Sequence, residues 1–281
     1  MEQRDRLGLR ETAPGEDRIG GRRLTHWGTA GGRWLVRHMV ALARVVTAHG
    51  VLAVTAGVGL VLVLGLVLAA GGIYDAVEES DGIAGLDRPV LDQALTARSP
   101  GLDAGLTFFT HLGGPLGMTI IAASITVAMV WRWRSRTPLV LMLITVAGSL
   151  LATVVGKNAV GRLRPPRVDA VPPFESSPSF PSGHALNSTA IAGMVAYLLL
   201  LHLTRQLARV LTVVLAGVWA IAIGLSRVFL GHHWLTDVMV GWVIGAAWLA
   251  LVVTAHRLFL SVRRAEPDPG AAGSGSPATA S

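Results

Sequence analysis

Three short stretches of this 281-residue chain combine residue types that handle an oxyanion: KNAVGRLRPPR at 157–167, SFPSGH at 179–184 and SRVFLGHHWLTD at 226–237. Lys157, Arg164 and Arg227 supply three cations. Ser182 and Gly183 form a turn at the mouth of an apolar run, where a helix N-terminus offers free N–H groups and the positive end of its dipole. Such a set suits a multiply charged anion such as phosphate. Two histidines, His184 and His233, can divide phosphoryl transfer between them, one attacking phosphorus and the other protonating the departing oxygen. Asp237 follows His233 by four residues, one turn if the segment is helical, where it would hold the imidazole with a lone pair toward the substrate. Lys157 is the only lysine among 24 basic residues. No carboxylate cluster accompanies these motifs, so they do not read as a divalent metal site.

The elements that must carry these residues are membrane helices. The chain is 52% hydrophobic and 15% charged, with a mean hydropathy of +0.55, too apolar for a soluble domain of this length. Six stretches lack Asp, Glu, Lys and Arg and approach or reach the roughly 17 to 25 helical residues that a bilayer core needs. They cover about 51–73, 112–131, 138–156, 185–204, 210–226 and 238–255. Between the first two, apolar residues at helical spacing (Val90, Leu91, Leu95; Leu102, Leu106, Phe109) predict one or two short interfacial helices. No internal repeat or second domain is apparent. The reading is all-α: a six-transmembrane-helix bundle over 46–262, between a basic, disordered tail at 1–45 and a linker-like tail at 263–281.

The basic residues set the expected topology. The first 50 residues, the RWRSR loop, Arg205 with Arg209, and the C-terminal Arg257, Arg263 and Arg264 hold 17 of the 24 Lys and Arg. By the positive-inside rule both termini are cytoplasmic in the cell membrane and the three motifs face outward. A net charge of +7 is explained by these flanking arginines, which lack the interleaved aromatics of a nucleic-acid surface, so no nucleic-acid partner is expected. The absence of Cys excludes disulfides and thiolate metal sites. His232 lacks the motif spacing and reads as a bystander. His49, His202 and His256 read as polar helix-end residues.

In order and spacing the motifs resemble the tripartite signature of the type 2 phosphatidic acid phosphatase superfamily. Lys157 to Pro165 matches Lys, six residues, Arg-Pro; Pro181 to His184 matches Pro-Ser-Gly-His; and Ser226 to Asp237 matches Ser-Arg, five residues, His, three residues, Asp. The resemblance spans about 51–259 and implies a membrane phosphatase of lipid phosphate or diphosphate monoesters that works without a metal or other cofactor. It further implies His233 as the nucleophile forming a phosphohistidine, Asp237 as its orienting partner, and His184 as the acid that protonates the leaving oxygen and then activates water. Lys157, Arg164, Arg227, Ser182 and the backbone of Gly183 would bind the phosphate oxygens. The expected partners are the lipid phosphate substrate and membrane lipids. Rival readings are a phosphotransferase or vanadate haloperoxidase on the same site, and an anion or lipid transporter. Haloperoxidases of this superfamily are soluble, and a transporter would place charge near the bilayer midplane rather than at helix ends.

Overall fold

The computed structural model describes residues 18–19, 22–43 and 83–265, with isolated positions between 50 and 65. The expected first span, 51–73, lies almost wholly outside the described residues. A two-residue antiparallel pair, β1 (Arg18–Ile19) and β2 (Arg22–Arg23), precedes helix α1 (Ala30–Ala43). A 3-10 turn at Ile83–Leu86 leads into two short helices, α2 (Asp87–Thr96) and α3 (Pro100–Leu112). Five long helices follow: α4 (Pro115–Trp133), α5 (Thr137–Val160), α6 (Gly183–Leu200), α7 (Gln206–Phe229) and α8 (Leu235–Ala265). All five are long and apolar enough to cross a membrane.

The expectation of a disordered tail over 1–45 does not hold at 30–43. Leu35, Val36, Met39 and Val40 recur at helical spacing in α1, and Met39 and Val40 pack against Val262 and Phe259 of α8 while Arg33 and Arg37 stay exposed. At the other end α8 continues to Ala265, past the boundary at 262. Arg257 stays with the fold because its Nε donates to the Leu24 carbonyl at 3.0 Å and its guanidinium lies 4.3 Å from the Trp27 ring centre.

Helix α6 forms the centre of the bundle and packs against α5, α7 and α8. Ala185, Leu186, Ala190 and Met194 on it are fully buried. Two glycines one turn apart on α8 allow the close approach. A Cβ on Gly241 would lie 2.9 Å from the Ser182 carbonyl oxygen, and one on Gly245 would lie 2.6 Å from that of Leu186. The start of α8 is thereby drawn against the start of α6. The motif residues then share one end of the bundle: Lys157 in the last turn of α5, Gly183 and His184 in the first turn of α6, Arg227 in the last turn of α7 and Asp237 in the first turn of α8.

Candidate active site

Ser182 is the N-cap of α6, and its hydroxyl accepts from Ala185 N at 3.5 Å. Its own N–H donates to the Asp237 carbonyl at 3.0 Å. Ser182 is fully buried and serves the turn rather than the cavity, whereas Gly183 and His184 line the cavity. They are the first two residues of the helix, where N–H groups have no intrahelical acceptor.

His233 and Asp237 meet, though by a different geometry from the helical one considered above. Helix α8 begins at Leu235, so His233 sits in the preceding turn. Gly231, with φ of +70°, makes that turn, and any Cβ there would collide with the Asp169 carbonyl. Asp237 curls back over the helix start: its Oδ2 accepts from Trp234 N at 3.0 Å and from Ser179 Oγ at 2.5 Å, and lies 3.5 Å from His233 Nδ1. The other ring nitrogen, Nε2, lies 3.3 Å from Arg164 Nη1. A guanidinium can only donate, so Nε2 accepts and the proton resides on Nδ1, facing Asp237. Burial, reinforced by Arg164 and against the pull of Asp237, lowers the His233 pKa to about 4. At neutral pH its ring is uncharged and Nε2 carries a lone pair.

The cations converge less evenly. Lys157 reaches the same cavity and donates to the Pro178 carbonyl. Arg164 is fixed by the Ser177 carbonyl at 2.7 Å and the His232 carbonyl at 2.5 Å, and burial lowers its pKa. Arg227 is buried near the end of α7, with its Nε unpaired. Between these two arginines stands Glu175, a residue the motif reading did not single out. One carboxylate oxygen lies 2.6 Å from Arg164 Nη2 and the other contacts Arg227 Nη2. Burial pushes the carboxyl up, but the Arg227 and Arg164 guanidiniums bring it far below the usual carboxylate range. It is a carboxylate seated between both guanidiniums.

His232 is no bystander. It is buried, its Nδ1 lies 2.5 Å from Arg227 Nη2, and its Nε2 lies 2.7 Å from the Val171 carbonyl. By the same donor argument Nε2 carries the proton and Nδ1 accepts from Arg227, so both ring nitrogens are committed to holding that arginine.

Arg162, Ser179 and Asp87 also went unmarked by the motifs. Arg162 Nη1 donates to Asp237 Oδ1 at 2.6 Å, and its Nη2 donates to Asp87 at 2.8 Å. Burial opposes the charge on Arg162, yet Asp237 and Asp87 win and raise its pKa. One signal was available for Glu175: it and Asp169 are the only acids between Lys157 and Asp237, in a stretch rich in arginine.

A cavity of about 630 Å³ runs from this cluster down between α4, α5 and α6. Lys157, Glu175, Gly183, His184 and His233 line its polar end, and Met118, Ala122, Leu143, Val146, Leu150 and Ile191 line its apolar length. Among the described residues, no three or more His, Cys, Asp or Glu come together as metal ligands.

Three similarities bear on this arrangement. The PAP2 superfamily model matches residues 138–260, which include all three motifs. Phosphatidylglycerophosphatase B of Bacillus subtilis (strain 168) is 32% identical over 181 residues, covering 64% of this chain and 88% of that protein. The crystal structure described as the first transmembrane PAP2 type phosphatidylglycerolphosphate phosphatase, also from Bacillus subtilis, superposes with a TM-score of 0.59 at 30% identity, covering 69% of this chain and 92% of that one. With motif order, helical architecture and identity over most of a relative's length in agreement, the chain belongs to the PAP2 superfamily.

Proposed function

We propose that this chain is an integral membrane phosphatase that hydrolyses a lipid phosphate or diphosphate monoester through a phosphohistidine on His233. The observation that carries this reading is the cavity itself: a polar end bearing Lys157, His184 and His233 joined to an apolar channel between membrane helices. A phosphate head fits the first part and a lipid chain the second. Polyprenyl diphosphate, phosphatidate and phosphatidylglycerophosphate all meet that description, and the names of the two relatives favour the last.

In the first step His233 Nε2 forms a bond to phosphorus as the bond to the lipid oxygen breaks, and protonated His184 gives that oxygen its proton. Asp237 stabilises the positive imidazole that results. In the second step neutral His184 takes a proton from water, whose oxygen bonds phosphorus as the N–P bond breaks and inorganic phosphate leaves. Lys157, Arg164 and Arg227 neutralise charge on the non-bridging oxygens, together with the N–H of Gly183. A lost donor of this kind costs roughly 2.7 to 4 kcal/mol. With three cations doing this work, the reaction proceeds without a metal.

Phosphate release by the purified protein across the three lipid classes tests the reading. Activity on at least one is expected to survive EDTA and to be inhibited by vanadate, a mimic of five-coordinate phosphorus. Strict dependence on added magnesium, or no release from any lipid phosphate, would overturn it.

The reaction is proposed to occur at the extracytoplasmic face, from the distribution of the arginines. Cysteine placed in this Cys-free chain at Ser176, in the exposed loop beside Glu175, should react with an impermeant maleimide in intact cells. One at Ser135, between α4 and α5, should not. The reverse pattern would move the chemistry to the cytoplasm.

A further inference from the structure

We propose that Asp87, at the start of the short helix α2, and Arg162 are positioning residues for the reaction, linked through Asp237 to His233. The inference rests on the reading of His233 as nucleophile. An acid in the first turn of a helix ordinarily sits in solvent and favours the helix dipole. Asp87 is instead only 4% exposed, and its carboxylate is spent on other elements. Oδ1 accepts from Thr236 N at 2.9 Å, while Oδ2 accepts from Thr236 Oγ1 at 2.7 Å and from Arg162 Nη2 at 2.8 Å. The N–H of Thr236 is one of the donors that the start of α8 leaves without an intrahelical acceptor. Asp87 therefore caps, from 149 residues away, the helix turn that carries Asp237.

Arg162 completes the connection. Its Nη1 donates both to Thr236 Oγ1 at 2.8 Å and to Asp237 Oδ1 at 2.6 Å, and its guanidinium lies 5.5 Å from the ring centre of Trp234. One cation thus bridges two carboxylates. Asp87, Arg162 and Asp237 together carry one net negative charge behind the His233 ring. Without Asp87 the same cation would neutralise Asp237 alone, and the positive imidazole formed by attack on phosphorus would lose most of its counter-charge. Facing His233 from the other elements are Arg164, with Lys157, His184 and Glu175 on the shared cavity wall. None of these touches Asp87, so a change at Asp87 reaches the ring through Arg162 and Asp237.

Asp87→Asn keeps the shape and removes the charge. The expected result is a fall in kcat of roughly tenfold, the lower end of what losing a direct partner of an oriented histidine costs, because Asp87 acts through Arg162 and Asp237. KM and the inhibition constant for inorganic phosphate, the product, should stay within about twofold, because the phosphate ligands are untouched, while vanadate, which mimics five-coordinate phosphorus, should weaken with kcat. In an Asp237→Asn background the same substitution should cost less than about twofold, since the two act as a unit. Arg162→Lys, which keeps the charge but reaches one carboxylate at a time, should reproduce both results and serves if Asp87→Asn does not fold. Equal losses in kcat and in affinity for inorganic phosphate, a loss that multiplies fully in the Asp237→Asn background, or no loss at all would overturn the assignment. If His233→Ala abolishes the phosphoenzyme while the Asp87 effect multiplies, this inference fails alone. If His233→Ala retains the phosphoenzyme, the reading beneath it fails.

Discussion

Replacing His233 with alanine is expected to abolish turnover and with it any acid-labile phosphoenzyme, a loss of at least about 10⁴-fold by comparison with removal of other catalytic nucleophiles. The adjacent His232→Ala should keep the phosphoenzyme. The contrast follows from the two rings' environments, since they are neighbours in sequence and both buried. His233 holds its proton toward Asp237, and its Nε2 meets only a guanidinium nitrogen at 3.3 Å, which an arriving phosphate can draw away. His232 has Nε2 on the Val171 carbonyl and Nδ1 on Arg227, so neither nitrogen is available to attack. Its loss releases one support of Arg227, and the damage should appear in KM, with kcat retained within roughly tenfold, or about 1.4 kcal/mol of barrier. Rapid-quench labelling with a radioactive lipid phosphate distinguishes the two. Label on His232 variants only, as predicted, supports the assignment; label on His233→Ala only would remove His233 from the reaction.

Long charge-free runs bounded by arginine made the bundle legible in the sequence, because a membrane forbids unpaired charge and irregular backbone over that length. Five of those runs correspond to α4 through α8; the limits differ by one to four residues at most ends, and by ten at the C-terminal end of α8. Lys157 illustrates the reason: it reads as the end of an apolar run, yet it lies on the last turn of α5 with its amine directed to the Pro178 carbonyl. The motif residues were legible because their types are specialised and their spacing is short. What remained hidden was the set that acts across distance. Asp87 meets Thr236 and Arg162 meets Asp237 over separations of 149 and 75 residues, and Glu175 meets Arg227 over 52, so no local periodicity records these pairs. The tight turn at Gly231 was equally silent, since a glycine in GHHW does not announce that its φ is positive.

His184→Ala is expected to separate the two halves of the proposed reaction. The ring occupies the first turn of α6 and lines the same cavity as His233, with its Nε2 beside Gly114, where a Cβ would come within 3.3 Å. A histidine there serves twice: as the acid for the departing lipid oxygen and as the base for water. Loss of general acid–base catalysis costs typically 10² to 10⁴-fold. On a lipid alkoxide, a poor leaving group, the first step should therefore become rate-limiting and no phosphoenzyme should build up. An aryl phosphate such as p-nitrophenyl phosphate departs without needing a proton, so its first step should remain fast in the variant while water attack stays slow. The expected trace is a burst of about one equivalent of p-nitrophenol per active site followed by slow release, with phosphohistidine accumulating on His233. The wild-type enzyme should show a much smaller burst, because water attack keeps pace. If the variant loses activity equally on both substrates and shows no burst, His184 is not the proton carrier. Its place at the mouth of α6 would then be that of a phosphate ligand.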